Sequence, residues 1–275
     1  MKPKQPVRII HADNHIAAVN KAAGIAVSGD RWDESRERLD KLLGSFYNSP
    51  IFIVHRLDRD TSGLMVFAKD NDTHRYLSKA FESREVEKIY YAVVHGRPAW
   101  AETDCDLALV PDGDKLHRTI VDKYRGKKSL TGFRLLFSAG AYSVVEARPA
   151  TGRTHQIRAH LSSLGHPVVC DPLYGFRHSP KPVFLSSFKK GWRGDPLDEK
   201  PLLDRLGLHA AALTIPYPPG AEDKLSLQAP FPRDMAALVK QMEKAAGGIE
   251  PFPVEGGLPL ALRVLQSFLD KPEKE

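Results

Sequence analysis

The stretch IFIVHRLDRDTSGLMVFA, residues 51–68, places a dense set of polar side chains between two apolar runs. Residues 51–54 and 64–68 are apolar and rich in β-branched and aromatic side chains, which predicts two buried strands. The ten residues from Val54 to Gly63 carry two carboxylates, two guanidinium groups, an imidazole and two hydroxyls. A loop fixed at both ends by core strands holds its side chains in place, so we expect a functional site to be built around this loop.

The composition of the 275-residue chain is that of a globular protein with a basic surface. Lys and Arg total 40 and Asp and Glu total 34, so the net charge is +6, which favours a polyanionic partner and first of all nucleic acid. The two cysteines, Cys105 and Cys170, form no zinc-binding spacing, and two isolated thiols indicate a reducing compartment. The sequence shows neither a secretory apolar segment nor the roughly 18 apolar residues of a membrane span, so we expect a cytoplasmic protein without membrane contact.

Hydrophobic periodicity predicts a mixed series of strands and helices along the chain. Strands are predicted near 7–10, 16–20, 51–54, 64–68, 86–96, 130–137, 142–148, 208–215 and 224–228. Helices are predicted near 30–47, 71–84, 154–164, 233–245 and 259–269. Because this order is not a regular βαβ repeat, we predict an α+β fold.

The two carboxylates of the loop, Asp58 and Asp60, are the candidate reacting groups. An aspartate can serve as a nucleophile or a general base when it is held ionised next to a cation. Arg158 lies at the edge of the apolar stripe of the predicted helix 154–164, from which it can reach a cleft. From the residues alone, an Asp58–Arg158 pair is equally compatible with a structural ion pair, and Lys21 with either a phosphate contact or a solvated side chain.

Three other kinds of site are not supported by the motifs. His155 and His160 are five residues apart, which does not match a helical zinc pair, and Ser62 lies in no GxSxG turn. The glycines form neither a GxGxxG nor a GxxxxGK[ST] run. We therefore expect no metal, no serine acyl-enzyme and no nucleotide cofactor.

Several segments together resemble the RluA-type pseudouridine synthases. Residues 55–63, HRLDRDTSG, match the HRLDxxTSG motif of that family at every fixed position. The later family signature is similar to TGRTHQIRAHL at 151–161, LGHP at 164–167 and DPLYG at 171–175, and its K-x-Y strand corresponds to Lys88–Tyr90. Residues 21–27 resemble its K-P-x-G segment, although Ala22 stands where proline is usual. The resemblance extends from about residue 7 to about residue 240.

This resemblance implies a mixed, largely antiparallel central sheet with flanking helices, and the isomerisation of uridine to pseudouridine in ribosomal or transfer RNA. It implies that Asp58 is the catalytic carboxylate and attacks either C1′ of the ribose or C6 of the uracil. It also implies that Arg158 pairs with Asp58, that Tyr90 packs on the target base and assists proton removal, and that Arg56 holds the flipped nucleotide. The further residues expected to line the pocket are Lys21, His55, Arg153, His155 and Ile157. The reaction requires no cofactor and no metal.

For the domain organisation we expect a catalytic domain at 1–246 and a C-terminal extension with a short helix at 247–275. Many members of the family begin with an S4-type RNA-binding domain, whereas here the resemblance starts near residue 7, so we expect no such domain. RNA recognition then falls to the catalytic domain, with the basic segments 115–128 and 177–193 as candidates, and the protein is expected to be a monomer. Two other hypotheses are a non-catalytic RNA-binding protein on the same fold and a glycoside hydrolase, which would need a second carboxylate roughly 5–10 Å from Asp58.

Overall fold

A computed structural model of the protein describes residues 7–29, 37–176, 181–189, 191–220 and 223–247. Twelve strands lie in these ranges: β1 (Val7–Ala12), β2 (Ile16–Lys21), β3 (Phe52–Ile53), β4 (Ser62–Ala68), β5 (Glu87–His95), β6 (Glu102–Cys105), β7 (Leu109–Val110), β8 (Ile120–Val121), β9 (Thr131–Ala139), β10 (Tyr142–Pro149), β11 (Leu208–Pro216) and β12 (Lys224–Gln228). The α-helices are α1 (Leu39–Tyr47), α2 (Asn71–Glu82), α3 (Gln156–Ser163) and α4 (Arg233–Ala245), and a short 3-10 helix lies at Leu185–Ser187.

Ten of the strands form one mixed sheet, in the order β1-β2-β4-β11-β5-β10-β9-β6. Strand β3 pairs with β4, and β12 pairs with β11, while β7 and β8 form a separate two-stranded hairpin. Every pairing in the large sheet is antiparallel except that of β11 with β4. The predicted α+β fold with a mixed, largely antiparallel sheet is therefore confirmed.

Strand β4 is buried on both faces, which explains why its sequence is continuously apolar. Leu64 and Val66 pack under α2, whereas Met65 and Phe67 pack under α1 on the opposite side. The polar loop therefore leads into the most deeply buried part of the sheet, and its C-terminal end is fixed.

Strand β11 separates β4 from β5, and its parallel pairing with β4 explains the glycine at the end of the loop motif. Gly63 pairs in register with Ala210 and has a φ angle of +123°, and a Cβ atom on Gly63 would overlap the backbone of Ala210. A larger residue would force these two strands apart.

Helices α3 and α4 cover opposite faces of the second half of the sheet. Ile157 and Leu161 of α3 pack on the face that includes Ala92, whereas α4 packs on the face that includes Val93. Helix α3 brings the second family signature to the same side of β5 as Tyr90.

Several elements have boundaries that differ from the predicted ones. The strand predicted at 51–54 is only the half-buried pair Phe52–Ile53, because it pairs with the end of β4 at Ala68 and Phe67 before the chain turns into the loop. The helix predicted at 30–47 is observed from Leu39, and residues 30–36 lie outside the described residues. The terminal helix at 259–269 and residues 177–180 and 190 of the second basic segment also lie outside them.

Candidate active site

The loop that carries Asp58 is held from behind by Lys21. The ammonium of Lys21 donates hydrogen bonds to the carbonyls of Arg59 at 2.9 Å and of Ala22 and Ile25 at 3.0 Å. The side chain is fully buried, and burial lowers the pKa of Lys21 to about 7, although the charges of Asp60 and Asp58 oppose the shift. All three donors of Lys21 are used within the protein and its side chain does not line the cavity, so in this structure it holds the loop, and the expected contact with RNA stays a prediction.

Asp58 lies at the end of a chain of charges that begins in the protein interior. Arg158 Nη1 donates to Asp58 Oδ2 at 3.1 Å, while Nε and Nη2 of Arg158 donate to the two oxygens of Asp171, each at 2.8 Å. Asp171 is 0% exposed and Arg158 is 3% exposed, whereas the side chain of Asp58 retains 25% of its accessible surface. The arginine is fixed from the inside and presents one remaining N–H to the accessible carboxylate.

Both carboxylates stabilise the charged form of Arg158. Burial opposes the charge, but the hydrogen bonds and charge of Asp171, followed by those of Asp58, raise the pKa of the Arg158 guanidinium. The guanidinium also lies over the ring of Tyr174, with its central carbon 5.0 Å from the ring centroid. A permanently charged, immobile arginine therefore faces Asp58.

His155 completes this side of the site. Its Nε2 lies 3.9 Å from Asp58 Oδ2, and its Nδ1 lies 3.1 Å from the hydroxyl of Tyr174. The Tyr174 hydroxyl in turn accepts from the backbone N–H of Thr119 at 2.7 Å, which ties the site to hairpin β7–β8. Burial lowers the pKa of His155, although Asp58 opposes the shift.

Tyr90 forms the opposite wall of the site. It is half-buried on β5 and packs against the apolar clusters that contain Ile157 and Leu57. Its hydroxyl forms no hydrogen bond with any residue in the described part of the chain. Burial, and secondarily the charge of Asp58, raise the pKa of the Tyr90 phenol. The ring is therefore a neutral, fixed surface beside the carboxylate.

These groups surround a cavity of about 530 Å³, a volume typical of sites for small organic groups. Eight of the nine residues expected from the sequence line it, and Lys21 is the exception: Asp58, Tyr90, Arg158, Arg56, His55, Arg153, His155 and Ile157. Arg56 is exposed at the rim and forms no ion pair with a described residue. Arg153 Nε donates to the carbonyl of Lys128 at 3.3 Å.

His55 belongs to the wall of the cavity and supports the sheet. Its Nε2 accepts the backbone N–H of Val66 at 3.0 Å, and its ring stacks on Phe81 at a centroid distance of 4.5 Å. Burial, followed by the charge of Lys88, lowers the pKa of His55 to about 3. The folded protein therefore keeps this imidazole neutral, with the proton on Nδ1.

We expect the free energy of unfolding to fall as the pH is lowered from 6.5 towards 3. In this range the unfolded chain protonates His55 at its ordinary pKa of about 6.5, whereas the folded chain does not, so the unfolded state binds more protons. Urea unfolding at pH 7 and pH 5 checks this, with His55→Gln as the comparison. A variant that loses as much stability as the wild-type protein between these pH values would contradict the assignment.

The local sequence does not indicate the role of Asp171. This residue fixes Arg158 and also accepts the backbone N–H groups of Leu173 and Tyr174 at 2.9 and 3.0 Å. Asp171 and Arg158 do not lie on the same helix or strand, so no periodicity in the sequence predicts their contact. The turn-rich segment after α3 brings the two side chains together.

Within the described ranges, no group of three or more His, Cys, Asp and Glu side chains is arranged to hold a metal ion. No helix in the same ranges has both the length and the apolar character needed to cross a membrane.

The fold and the site define a class of protein in which an arginine-paired aspartate lines a cavity of nucleotide size. Residues 15–163 match the family model described as RNA pseudouridylate synthase. The ribosomal large subunit pseudouridine synthase D of Zymomonas mobilis is 32% identical over 246 residues, which cover 86% of this chain and 73% of that protein. The dual-specificity RNA pseudouridine synthase RluA of Vibrio cholerae is 35% identical over 217 residues, which cover 78% and 80% of the two chains.

A solved structure shows the same relationship. Human RNA Pseudouridylate Synthase Domain Containing 4 superimposes with a TM-score of 0.66 at 25% identity, and the match covers 86% of this chain and 92% of the human one. The chain belongs to the RNA pseudouridylate synthase family and is an isomerase that acts on RNA.

Proposed function

We propose that this enzyme converts uridine to pseudouridine in structured RNA through the carboxylate of Asp58. The observation that carries the proposal is the accessible Asp58 carboxylate, held at 3.1 Å by a buried arginine at the floor of the cavity. Ribosomal RNA is the first candidate substrate because one relative is named for the ribosomal large subunit, and transfer RNA is the second.

The reaction is an internal rearrangement of one nucleotide. The bond between C1′ and N1 breaks, the uracil turns, C5 bonds to C1′, and the proton that leaves C5 is balanced by one gained at N1. Asp58 attacks C1′ or C6, and the hydrogen bond from Arg158 keeps the carboxylate aimed at the cavity. On either route the guanidinium of Arg158 holds the attacking carboxylate.

We assign Tyr90 to packing against the uracil. The raised pKa of its phenol keeps the ring neutral, which suits stacking on a base and disfavours a tyrosinate that removes the C5 proton. The structure therefore supports the first of the two roles that the family resemblance implies for Tyr90.

A uridine inside a folded RNA reaches Asp58 only if it leaves its stack, which costs a few kcal/mol. Arg56 is exposed at the rim, and we propose that it occupies the space left by the extruded base and contacts the backbone. We assign His55, Arg153, His155 and Ile157 to the walls that hold the nucleotide.

Purified protein incubated with large-subunit ribosomal RNA transcribed in vitro tests the proposal. We expect pseudouridine at one or a few uridines, mapped by chemical modification and sequencing, and the same positions should lose pseudouridine in cells without the protein. Binding without any pseudouridine in ribosomal or transfer RNA would instead favour the non-catalytic RNA-binding protein.

A glycoside hydrolase is not supported by Asp171 or Asp60, the two acidic residues nearest to the sequence motifs of the site. Such an enzyme needs a second carboxylate across the scissile bond. Asp171 is fully buried and bound to Arg158, and Asp60 pairs with Arg59 at 3.3 Å. Neither is available as the second group.

We propose that hairpin β7–β8 and the segment 122–128 that follows it are part of the RNA-binding surface. They are rich in exposed basic groups, Tyr124 in the segment is 87% exposed, and the hairpin is joined to the site through Thr119 and Tyr174. Replacing Lys127 and Lys128 together with alanine should reduce the slope of log K against log salt concentration by about 0.7 for each phosphate of a single strand that the protein no longer neutralises. Filter binding at several salt concentrations measures this, and an unchanged slope would remove the segment 122–128 from the RNA-binding surface.

For the wider organisation, we propose one catalytic domain up to residue 246 that acts as a monomer in the cytoplasm. The two cysteines are free, buried thiols, as suits a reducing compartment. Sedimentation of the purified protein tests the monomer.

A further inference from the structure

Two cations at the edge of the cavity lack an acidic partner. Arg84 lies between α2 and β5, and Lys88 lies on β5 two residues before Tyr90 and on the same face. Neither side chain forms an ion pair or a hydrogen bond with a residue that the structure describes. Arg84 has a φ angle of +64°, a left-handed conformation that non-glycine residues rarely adopt. Arg84 follows the C-cap of α2, and the N–H of Glu85 donates to the carbonyl of Ala80, so this conformation ends the helix and fixes the backbone from which Arg84 projects.

Arg84 and Lys88 stand where two cavities meet. The catalytic cavity of about 530 Å³ and a neighbouring groove of about 320 Å³ are both lined by Arg84, Lys88, Pro149 and Ala150. An extended ligand that runs from the catalytic cavity into the neighbouring groove must pass over Arg84 and Lys88.

The positive charges of Arg84 and Lys88 favour the binding of an anion. Lys88 is half-buried, and burial, followed by the charge of Arg84, lowers its pKa. Three carboxylates line these cavities, but Asp58 pairs with Arg158, Glu87 pairs with Lys224 at 2.9 Å, and Glu82 forms no ion pair with either cation. Arg84 is exposed and Lys88 is half-buried, so an anion bound between them would offset their mutual repulsion and the hydration that Lys88 has lost.

We propose that Arg84 and Lys88 bind one backbone phosphate of the RNA strand next to the target nucleotide, an inference that rests on the proposed function. Alternate residues on one face of a strand are about 7 Å apart, so a phosphate at Lys88 lies about one nucleotide away from a base on Tyr90. The strand then enters the groove, where Ser226 and Gln228 offer further polar groups. A phosphodiester fits this site better than a free anion because the groove continues on both sides of it.

Binding of a 12-residue oligouridylate to the full-length protein tests this subsite. The test variant is Arg84→Met with Lys88→Met, which keeps the apolar stems and removes both charges. Its controls are the wild-type protein and Lys240→Ala, which removes an exposed charge from α4. We expect the test variant to bind roughly tenfold more weakly, as for the removal of a charge-assisted hydrogen bond. The slope of log K against log salt concentration should fall by about 0.7, whereas Lys240→Ala should leave it unchanged.

The outcomes separate this subsite from the isomerase activity. An unchanged slope in the double variant, or equal losses in the double variant and Lys240→Ala, would overturn the subsite, as would a wild-type protein that does not bind the oligonucleotide. Inorganic phosphate that competes for the wild-type protein as strongly per phosphate as the oligonucleotide does would show a free-anion site instead. If the slope falls as expected but no pseudouridine forms in any RNA, the subsite stands and the proposed function fails. If pseudouridine forms and the slope is unchanged, the proposed function stands and the subsite fails.

Discussion

Asp58→Asn is expected to reduce pseudouridine formation by on the order of 10⁴-fold or more, as is typical when the reacting group of an enzyme is removed. Asparagine has the same shape, and its amide oxygen can still accept from Arg158, so the pocket should remain intact. The amide lacks the negative charge that attack on C1′ or C6 requires. Single-turnover assays with the RNA mapped as the substrate measure the loss, and RNA binding should change by less than about threefold because recognition relies on other groups.

Asp72→Asn provides a matched control for this change. Asp72 is an exposed carboxylate in the first turn of α2, where it pairs with Arg75 at 3.2 Å, away from the cavity. Its conversion to the amide should leave activity intact. Activity within tenfold of wild type in Asp58→Asn would refute the assignment of Asp58 as the reacting group.

Asp171→Ala is expected to give the second large effect, although Asp171 cannot touch RNA. Its removal leaves the Arg158 guanidinium buried without its two-bond partner, and breaking such a buried pair typically costs about 3–5 kcal/mol of stability. The freed arginine no longer holds Asp58 in one orientation, so we also expect kcat to fall by about 100-fold. Urea unfolding and single-turnover kinetics measure the two effects separately.

A positioning role for Asp171 predicts a particular pattern of kinetic change. The rate of the chemical step should fall while the RNA dissociation constant stays near its wild-type value, and Asp171→Asn, which retains an acceptor oxygen, should restore part of the rate. Asp234→Ala is the control, because Asp234 binds Arg205 through two bonds of 2.6 Å outside the cavity. If Asp171→Ala weakens RNA binding without slowing the chemical step, Asp171 does not act through Arg158.

The parts of the fold that depend on local periodicity could be predicted from the sequence. Helix α4 begins and ends at the predicted residues, Arg233 and Ala245, because its apolar residues follow one helical stripe. The alternation along β5 correctly places Tyr90 on the face opposite Tyr91, which packs into the core that contacts α4. Side-chain direction along a regular element is a local property, so one sequence suffices to predict it.

The parts that depend on distant contacts could not be predicted in this way. Nothing near residue 208 indicates that β11 lies between β4 and β5, since such pairing follows from the whole sheet. Lys21 appears exposed in sequence because lysine usually is, yet three carbonyls converge on its ammonium. The role of Asp171 likewise depends on a turn that no periodicity describes.

The position of β11 also determines when the central sheet can be completed during synthesis of the chain. Ser62 and His209, which pair across β4 and β11, are separated by 147 residues. Until the ribosome has added β11, the growing chain carries two open sheet edges, on β4 and β5, which are prone to incorrect pairing and aggregation. The pairing of β4 with β11 at the end of the Asp58 loop therefore forms only after this strand has emerged.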